Sequence, residues 1–537
     1  MTVWIHRRPE LDVCADAATA TGPLAGLRLA VKDNVDVAGL PTTAGCPDYA
    51  YLPDRDAPAV AALTAAGAVV VGKTNLDQFA TGLVGTRSPY GVVTDSRRSE
   101  FISGGSSSGS AVAVAEGSAD IAIGSDTAGS GRVPAALQGI VGIKPTVGVV
   151  SSDGVVPACR SYDCVSIFAA DLTLANRAMA VLAAGAPQRH LPSDVRLAAP
   201  PRPVVAVFAN MPDLDDDWRA AFDGAVSALE LAGARIVRVD EQPFLAAARL
   251  LYDGALVAER YAAVGEFIDR ASPSIDPIVG AIIRRAKDIP AHRLVSDLAE
   301  LERLHAVAMA SLAGADALLV PTVPCHPTIA EVDANPVAVN SRLGTYTNFC
   351  NLFDMCGVAV PAGTAGSAQF GVTVLARAFE DAVALDIAAM LTGDTAPEPA
   401  WPTAVAPTSE LVVFGAHLLG QPLAHQLTGL GARWAGEVST APRYRLGALD
   451  TDPPKPAVTR CPDGENGVSV LGERWLLSPA ALGHFLAALP APMQLGAVEL
   501  HDGNWVTAFG CDAAAAARAK DISEYCGWRA ALAAGAV

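Results

Sequence analysis

A stretch rich in glycine and serine, from Ser103 to Gly148, constrains this chain more than any other feature. It holds two loops, GGSSSGS and GSDTAGSG, and each loop adjoins a short apolar segment that is typical of a buried helix or strand. Glycine allows positive φ and close backbone approach, so such loops can direct several N–H groups toward a single negative charge. The pattern therefore predicts a site that binds or stabilises an anion.

Two other interpretations of these loops are weaker. A flexible glycine–serine linker is disfavoured, because the loops are short and interleaved with segments that look buried. A phosphate-binding loop is disfavoured because neither loop ends in the Gly-Lys-Ser/Thr sequence that such loops require.

Several motifs, in order and at matching spacing, resemble the amidase signature family. Upstream of the loops lie LAVKDNVDVAGLPTTAG and VVVGKTNLDQFATG, and GIKPTVG follows them, so that the resemblance covers roughly residues 25–380. It implies that Lys32 is the catalytic lysine, that Ser106 is a bridging serine on a cis peptide, and that Ser130 is the nucleophile. Arg132, which follows the nucleophile loop, is expected to have a structural role, with positioning of the substrate as the alternative. Without the resemblance, a lone lysine at a strand end is ordinarily a surface residue.

The chemistry implied is that of an activated hydroxyl. A free serine hydroxyl is a poor nucleophile at neutral pH, so a neutral Lys32 must remove its proton through Ser106, which requires a lowered lysine pKa. The backbone N–H groups of Thr127, Ala128, Gly129 and Ser130 are expected to form the oxyanion hole. Ser108 and Ala128 stand where many family members have glycine, and neither change removes a reacting group.

Further motifs resemble the allophanate hydrolases within this family. They are GLVGTRSPYG, GVVPACRSYDCVSIFA and LYDGALVAERYAAV, and two more, VVFGAHLLGQPLAHQL and DISEYCGWRAAL, lie near the carboxyl terminus. The resemblance implies hydrolysis of allophanate (urea-1-carboxylate) to ammonia and carbon dioxide through a seryl acyl-enzyme. It also implies that Tyr252 and Arg260 bind the substrate, and their spacing of eight residues places them near one face of a helix. By pattern alone they are equally a surface arginine with an aromatic neighbour.

Rival functions remain open from the sequence. An amidase for another small amide, or the glutaminase subunit of a transamidase, would have a different tail and lack the Tyr252–Arg260 pair. A scaffold without activity would have lost Lys32, Ser106 or Ser130, and all three are present.

The hydrophobic pattern predicts an α/β fold with a mixed central sheet covered by helices, followed by a small α+β domain. We predict a catalytic domain over residues 1–392, a proline-rich linker over 393–407 and a C-terminal domain over 408–537. In that last domain Val468–Leu471 and Trp475–Leu477 are predicted as separate strands. The domain resembles the gamma-glutamyl-cyclotransferase-like fold, which makes His417 a candidate for a decarboxylation step, although a core or capping histidine fits the pattern as well. The alternative role for this domain is dimerisation or contact with another enzyme.

Composition limits the partners. The formal net charge of −18 disfavours nucleic acid and anionic membranes as partners. None of the ten cysteines is paired in Cys-x-x-Cys spacing, and the first residues do not resemble a signal peptide, so we expect reduced thiols and a cytoplasmic protein. No metal or other cofactor is expected. The resemblance implies a homodimer and association with an upstream urea-carboxylating or ring-opening enzyme.

Overall fold

The computed structural model describes residues 2–185, 187–393 and 401–537, and it separates the chain into two units. The first unit comprises Met1–His190 and Arg202–Val405, and the second comprises Leu191–Pro201 and Ala406–Val537. An eleven-stranded mixed sheet lies at the centre of the first unit, with the strand order β1-β3-β2-β4-β6-β5-β10-β11-β9-β7-β8. Its strands are β1 (Trp4–Arg7), β2 (Arg28–Lys32), β3 (Val69–Thr74), β4 (Ile121–Asp126), β5 (Val141–Lys144), β6 (Cys164–Ala169), β7 (Val204–Phe208), β8 (Arg235–Val239), β9 (Ala317–Pro321), β10 (Cys356–Ala365) and β11 (Ala368–Ala376).

Helices accompany this sheet, and the mixed α/β architecture predicted from the sequence is confirmed. The helices of the first unit are α1 (Glu10–Thr19), α2 (Pro58–Ala65), α3 (Ser108–Ala115), α4 (Val133–Gln138), α5 (Leu172–Ala184), α6 (Asp216–Leu231), α7 (Gln242–Asp253), α8 (Ala258–Asp269), α9 (Pro277–Arg285), α10 (Ala291–Ser311), α11 (Ile329–Ala334), α12 (Pro336–Leu343), α13 (Asn348–Leu352), α14 (Asp381–Thr392) and α15 (Trp401–Val405). Among the described residues, no helix combines the length and apolar character needed to cross a bilayer.

Parallel pairing of β2 with β4 positions the candidate site. The two strands run side by side with Leu29 opposite Ile121 and Val31 opposite Ile123. Both strands are apolar over most of their length and buried, as strands covered on both faces must be. Their carboxyl ends, Lys32 and the segment from Gly124 onward, therefore meet at one edge of the sheet.

The second unit has the predicted α+β character, and its strands form two sheets. One sheet has five strands in the order β13-β16-β12-β18-β17, and the other has three in the order β15-β14-β19. The strands are β12 (Ser409–Val413), β13 (Arg433–Ser439), β14 (Tyr444–Leu449), β15 (Lys455–Arg460), β16 (Leu471–Leu477), β17 (Met493–Glu499), β18 (Trp505–Cys511) and β19 (Lys520–Asp521), and the helices are α16 (His425–Thr428), α17 (Pro479–Ala487), α18 (Ala513–Ala516) and α19 (Trp528–Ala533). Val468 forms only an isolated bridge to Tyr444, and β16 runs without a break, so the prediction of two separate strands here is wrong.

The predicted linker also differs from the structure. Of residues 393–407, positions 394–400 lie outside the described residues, but Trp401–Val405 form α15 within the first unit. The Trp401 side chain is fully buried there, and its backbone N–H donates to Asn176 Oδ1 at 2.8 Å. Burial of this large apolar ring explains why a proline-rich segment adopts a packed helix.

A second difference concerns residues 191–201, which the predicted domain limits placed in the catalytic domain. They lie with the second unit, where the Leu197 N–H donates to Gly431 O and the Leu197 carbonyl accepts from Arg433 Nε, both at 2.8 Å. Nothing in the local sequence of this segment indicates a partner more than two hundred residues away.

Candidate active site

Lys32, Ser106 and Ser130 lie in one hydrogen-bonded line. Lys32 Nζ donates to Ser106 Oγ at 2.7 Å, and Ser106 Oγ bonds to Ser130 Oγ at 2.9 Å. The peptide bond between Gly105 and Ser106 is cis. All three side chains are buried, with Ser130 only 3% exposed. The structure thus brings together the three residues that the motifs singled out.

Burial changes the charge state of Lys32. Desolvation lowers the pKa of its ammonium group to about 7, against the attraction of Asp77, Asp126 and Asp163 and with a smaller repulsion from Arg260. A lysine with this pKa is substantially neutral near pH 7 and can accept a proton from a hydroxyl.

Ser125 and Asn34 complete the surroundings of the lysine, although the motifs indicate no role for either. Ser125 Oγ accepts from Lys32 Nζ at 2.8 Å and from Asn34 Nδ2 at 3.3 Å. These bonds hold the amine at a fixed position between two hydroxyl groups. The sequence could have indicated Ser125 only through its position at the end of β4. Its contact with Lys32 arises only when β4 pairs with β2.

The loop before Ser130 presents backbone N–H groups, with one departure from expectation. Among the described residues, no hydrogen bond is formed by the N–H groups of Thr127, Ala128 or Ser130. The Gly129 N–H donates to Asp126 Oδ1 at 2.9 Å, so among the four N–H groups expected in the oxyanion hole it is the one that already has an acceptor. The reason is that the buried Asp126 carboxylate must itself be satisfied.

A buried ion pair between Arg132 and Asp126 holds this loop in place. Arg132 Nε lies 2.9 Å from Asp126 Oδ2, and both side chains are buried. The guanidinium also donates to Thr347 O at 3.2 Å and to Asn351 Oδ1 at 2.9 Å. The expectation that Arg132 serves a structural role agrees with this position.

Asp163 is a second buried carboxylate beside the loop, and it lies within the motif GVVPACRSYDCVSIFA, which by itself indicates no role for it. It accepts from Thr127 Oγ1 at 2.5 Å and from the N–H groups of Ala158 at 2.9 Å and Cys159 at 3.1 Å. Burial raises its pKa, although Thr127 and these N–H groups oppose the change. Asp163 therefore fixes the Thr127 side chain next to the unpaired Thr127 N–H.

Arg260 and Tyr252 are in contact, but not on one helix as predicted. Tyr252 lies near the end of α7 and Arg260 in α8, and Gly254 with a short 3₁₀ turn separates the helices. A Cβ at Gly254 would lie 2.6 Å from Leu250 O, so the chain can pass closely here only as glycine. Arg260 Nη2 donates to Tyr252 Oη at 3.3 Å, and the guanidinium carbon lies 5.3 Å from the centre of the tyrosine ring.

The guanidinium of Arg260 is buried without a carboxylate partner. Its other bonds go to Thr81 Oγ1 at 3.1 Å and Ala80 O at 3.4 Å. Across the part of the chain that the structure describes, Arg260 forms no salt bridge. A buried cation with only neutral partners can bind an anionic ligand strongly.

His417 lies in the core of the second unit. Its ring stacks on Phe509 at 4.8 Å and meets the edge of Phe485 at 5.4 Å, and Nε2 bonds to Gln426 Oε1 at 2.9 Å. Burial lowers the pKa of the imidazole, which keeps the ring neutral at neutral pH. These surroundings are typical of a packed core histidine.

Comparisons with known proteins agree with both parts of the chain. A family model described as "Amidase" matches residues 5–385, and one described as "Allophanate hydrolase C-terminal domain" matches residues 409–533. The urea amidolyase of Saccharomyces cerevisiae is 41% identical over 95% of this chain and 30% of its own length. The chain thus spans less than a third of that relative.

Two more proteins are similar to this chain. The solved structure of Kluyveromyces lactis allophanate hydrolase superposes with a TM-score of 0.90 at 37% identity, covering 99% of this chain and 93% of that one. The 2-amino-5-chloromuconic acid deaminase of Comamonas testosteroni is 34% identical over 66% of this chain and 78% of its own.

Proposed function

Because this chain belongs to the amidase family and carries an allophanate hydrolase C-terminal domain, we propose that it hydrolyses allophanate to ammonia and carbon dioxide. The observation that carries the proposal is the buried, unpaired Arg260 guanidinium close enough to the Lys32–Ser106–Ser130 line to affect the pKa of Lys32. Allophanate is a urea that bears a carboxylate, so its site must provide a cation as well as an activated nucleophile.

The reaction begins with transfer of a proton along the hydroxyl line. Neutral Lys32 takes the proton of Ser106, Ser106 takes that of Ser130, and Ser130 Oγ attacks the urea carbonyl carbon. The negative charge that develops on the carbonyl oxygen accepts hydrogen bonds from the free N–H groups of the Thr127–Ser130 loop. The proton then returns through Ser106 to the departing nitrogen, which leaves as ammonia.

The second half of the reaction restores the serine. The acyl group on Ser130 still carries the substrate carboxylate, and water deprotonated through the same line attacks its carbonyl carbon. The product is a nitrogen that bears two carboxyl groups, and it loses carbon dioxide to give carbamate, which breaks down to ammonia and carbon dioxide. Arg260 would hold the carboxylate during both steps, with Tyr252 keeping the guanidinium in place.

The second unit and the assembly belong to the same proposal. We assign the decarboxylation step or oligomer formation to the second unit, with His417 as its candidate residue, although its aromatic surroundings favour a packing role. We propose a cytoplasmic homodimer that associates with an upstream urea-carboxylating or ring-opening enzyme. The urea amidolyases support this association, because the region that matches this chain is under a third of their own length.

The test compares ammonia release from allophanate, biuret, L-glutamine and simple amides. We expect allophanate to be hydrolysed with the highest kcat/KM, and Ser130→Ala to lose several orders of magnitude of kcat while remaining folded. Ser118→Ala, which changes a serine that bonds only to Ala113 O, serves as the control and should be unaffected. Faster turnover of glutamine than of allophanate would favour the transamidase-type alternative, and a loss of about tenfold or less in Ser130→Ala would exclude Ser130 as the nucleophile.

A further inference from the structure

The buried position of Ser130 raises the question of how an anion reaches it. A cavity of about 980 Å³ lies in the first unit, in front of the carboxyl ends of β7 and β8. One face of α7, the loop that follows β7, and α12 with the segment after it bound this cavity. The carboxyl ends of parallel strands in open α/β sheets commonly border ligand sites.

Two of the lining residues connect the cavity to the candidate active site. Tyr252 lines the cavity, and its hydroxyl lies 3.3 Å from Arg260 Nη2. Asn348 also lines it and directly follows Thr347, which packs against the nucleophile loop so closely that a Cβ at Gly129 would lie 2.5 Å from Thr347 Oγ1. One residue of the cavity wall thus contacts Arg260, and another is the chain neighbour of a residue that packs against the nucleophile loop.

Asn348 lines the cavity with part of its surface and carries one polar atom that is buried without a partner. Its side chain is only 5% exposed, and within the described chain its buried Oδ1 has no hydrogen-bond partner. Its Nδ2 makes a single long bond to Ala248 O at 3.4 Å. A buried acceptor without a partner is costly, so the Asn348 side chain would gain free energy by turning toward an N–H donor.

The charges around the cavity differ from those of the whole chain. Four arginines line it, and in the described part of the chain Arg238 and Arg249 form no ion pair or side-chain hydrogen bond. Four carboxylates balance them, whereas the whole chain has a net charge of −18. The charged residues of the wall are Arg219, Arg238, Arg249, Arg342, Asp213, Asp223, Glu241 and Asp253. An anion therefore meets less repulsion here than over the average surface.

We propose that this cavity is the route by which the carboxylate-bearing substrate reaches Ser130. Arg238 and Arg249 attract the carboxylate before Arg260 binds it. The identity of the substrate in this inference rests on the proposed function, whereas the route to Ser130 does not depend on it.

Charge reversal tests the electrostatic part. In the double variant Arg238→Glu/Arg249→Glu we expect kcat/KM for allophanate to fall on the order of tenfold at low salt, with kcat at saturation unchanged and the difference shrinking as salt increases. Arg235→Glu is the matched control, because Arg235 is exposed at the opposite end of β8 and does not line the cavity. An equal effect in the control and the double variant would overturn the assignment of these arginines.

Obstruction tests the route without depending on the substrate. Ala338 is an exposed residue of α12 on the cavity wall, and its neighbour Val337 is exposed but does not line the cavity. We expect Ala338→Trp to slow covalent labelling of Ser130 by a small uncharged fluorophosphonate several-fold, and Val337→Trp to leave it unchanged. If labelling is equally fast in both variants, the route lies elsewhere. If the wild type is labelled normally but releases no ammonia from allophanate, the proposed function fails and the route can still stand.

Discussion

At the scale of single residues, the chemistry depends on one desolvated amine. Within the described residues no carboxylate contacts the Lys32 amine directly, and its two bonds go to the neutral hydroxyls of Ser106 and Ser125. Each bond can be kept when the amine is neutral, because an uncharged amine still donates and also accepts. The site therefore tolerates the loss of the lysine charge that catalysis requires.

The neutral state of the Lys32 amine predicts that activity rises with pH. Only the neutral amine is a base, so kcat/KM should rise about tenfold per pH unit below the Lys32 pKa of about 7 and level off above it. The measurement is the pH profile of ammonia release by the wild type, set against Lys32→Ala, whose residual activity should lack this rise. A wild-type profile that is flat from roughly pH 5.5 to roughly pH 8.5 would place the base elsewhere.

The same pKa shift opposes folding at low pH. Because the folded-state pKa of Lys32 lies below the unfolded value of 10.5, the cost is full below about pH 7 and fades as pH rises toward 10.5. Any loss of stability on acidification below about pH 7 comes from other groups, since the Lys32 contribution is then already constant.

Thr127 offers a test of how the oxyanion loop is held. Thr127→Val keeps the shape but leaves Asp163 without its hydroxyl donor, and we expect kcat to fall roughly ten- to a hundredfold with little change in KM. Thr127→Ser retains the hydroxyl and should recover most of the activity. Steady-state kinetics of both variants distinguish them, and equal kcat values would show that the bond to Asp163 does not position the loop.

At the scale of elements, the turn between α7 and α8 sets the position of Arg260. Asp297 Oδ2 accepts from the Ala255 N–H at 2.7 Å, and a Cβ at Gly254 would lie 2.8 Å from the same oxygen. The turn is thus held by a packed carboxylate from α10, and it leaves no room for a side chain.

Gly254→Ala should therefore disturb both folding and substrate binding. We expect a loss of about 1–3 kcal/mol in the free energy of unfolding, since the added methyl must displace backbone and carboxylate. KM for allophanate should rise more than kcat falls, because α8 carries Arg260 but none of the reacting hydroxyls. The control is Gly224→Ala in α6, where nothing lies within 4 Å of the new Cβ and about 0.5–1 kcal/mol of stabilisation is expected. Equal thermal stabilities and KM values in the two variants would contradict this account.

Local patterns predict some elements well and miss others for identifiable reasons. The buried apolar run of β7 and the amphipathic pattern of α6 predict a strand over 204–208 and a helix over 215–231, and the observed ends lie within one residue of these bounds. The break between α7 and α8 was missed because an isolated glycine inside a helical pattern does not by itself end a helix.

The residues of the candidate site divide in the same way, into those that a local pattern predicts and those that it does not. Lys32, Ser106 and Ser130 follow from motifs, whereas Ser125 and Asn34 acquire their role only when β4 pairs with β2, and Asp163 only when β6 pairs with β4. The bond of Lys32 to Ser125 joins residues 93 positions apart and that of Thr127 to Asp163 residues 36 apart, and no local pattern specifies either bond.

At the scale of the whole molecule, the complete candidate active site lies in the first unit, from Lys32 to Asn351. The helix from Trp401 to Val405 belongs to that unit as well, and only the chain from Ala406 onward belongs to the second. A truncation that preserves the first unit must therefore end after Val405, and not within the predicted linker segment before it.

We predict that a chain ending at Ala406 is folded and releases ammonia from allophanate, whereas one ending at Thr395 is much less stable. Loss of the fully buried Trp401 should cost about 3–5 kcal/mol, which Trp401→Ala in the full-length chain would reproduce. Thermal unfolding and ammonia release, measured on both truncated chains, distinguish them. Equal stabilities would show that α15 contributes nothing to the first unit.

The chain ending at Ala406 also carries residues 191–201 without the rest of the second unit. Its tendency to aggregate can therefore be tested separately from its hydrolytic activity. Leu197 is fully buried in the second unit, and in this truncated chain its N–H would lose Gly431 O and its carbonyl would lose Arg433 Nε. The truncated chain should therefore expose an apolar segment and tend to associate. Leu197→Asn in that chain should restore a monodisperse protein without changing the rate of ammonia release, whereas in the full-length chain it should destabilise the second unit. Light scattering and ammonia release give the two readouts. A truncated Leu197→Asn chain that is folded and monodisperse but inactive would show that the second unit contributes to the first hydrolytic step, and that the chemistry is not confined to the unit that contains Ser130.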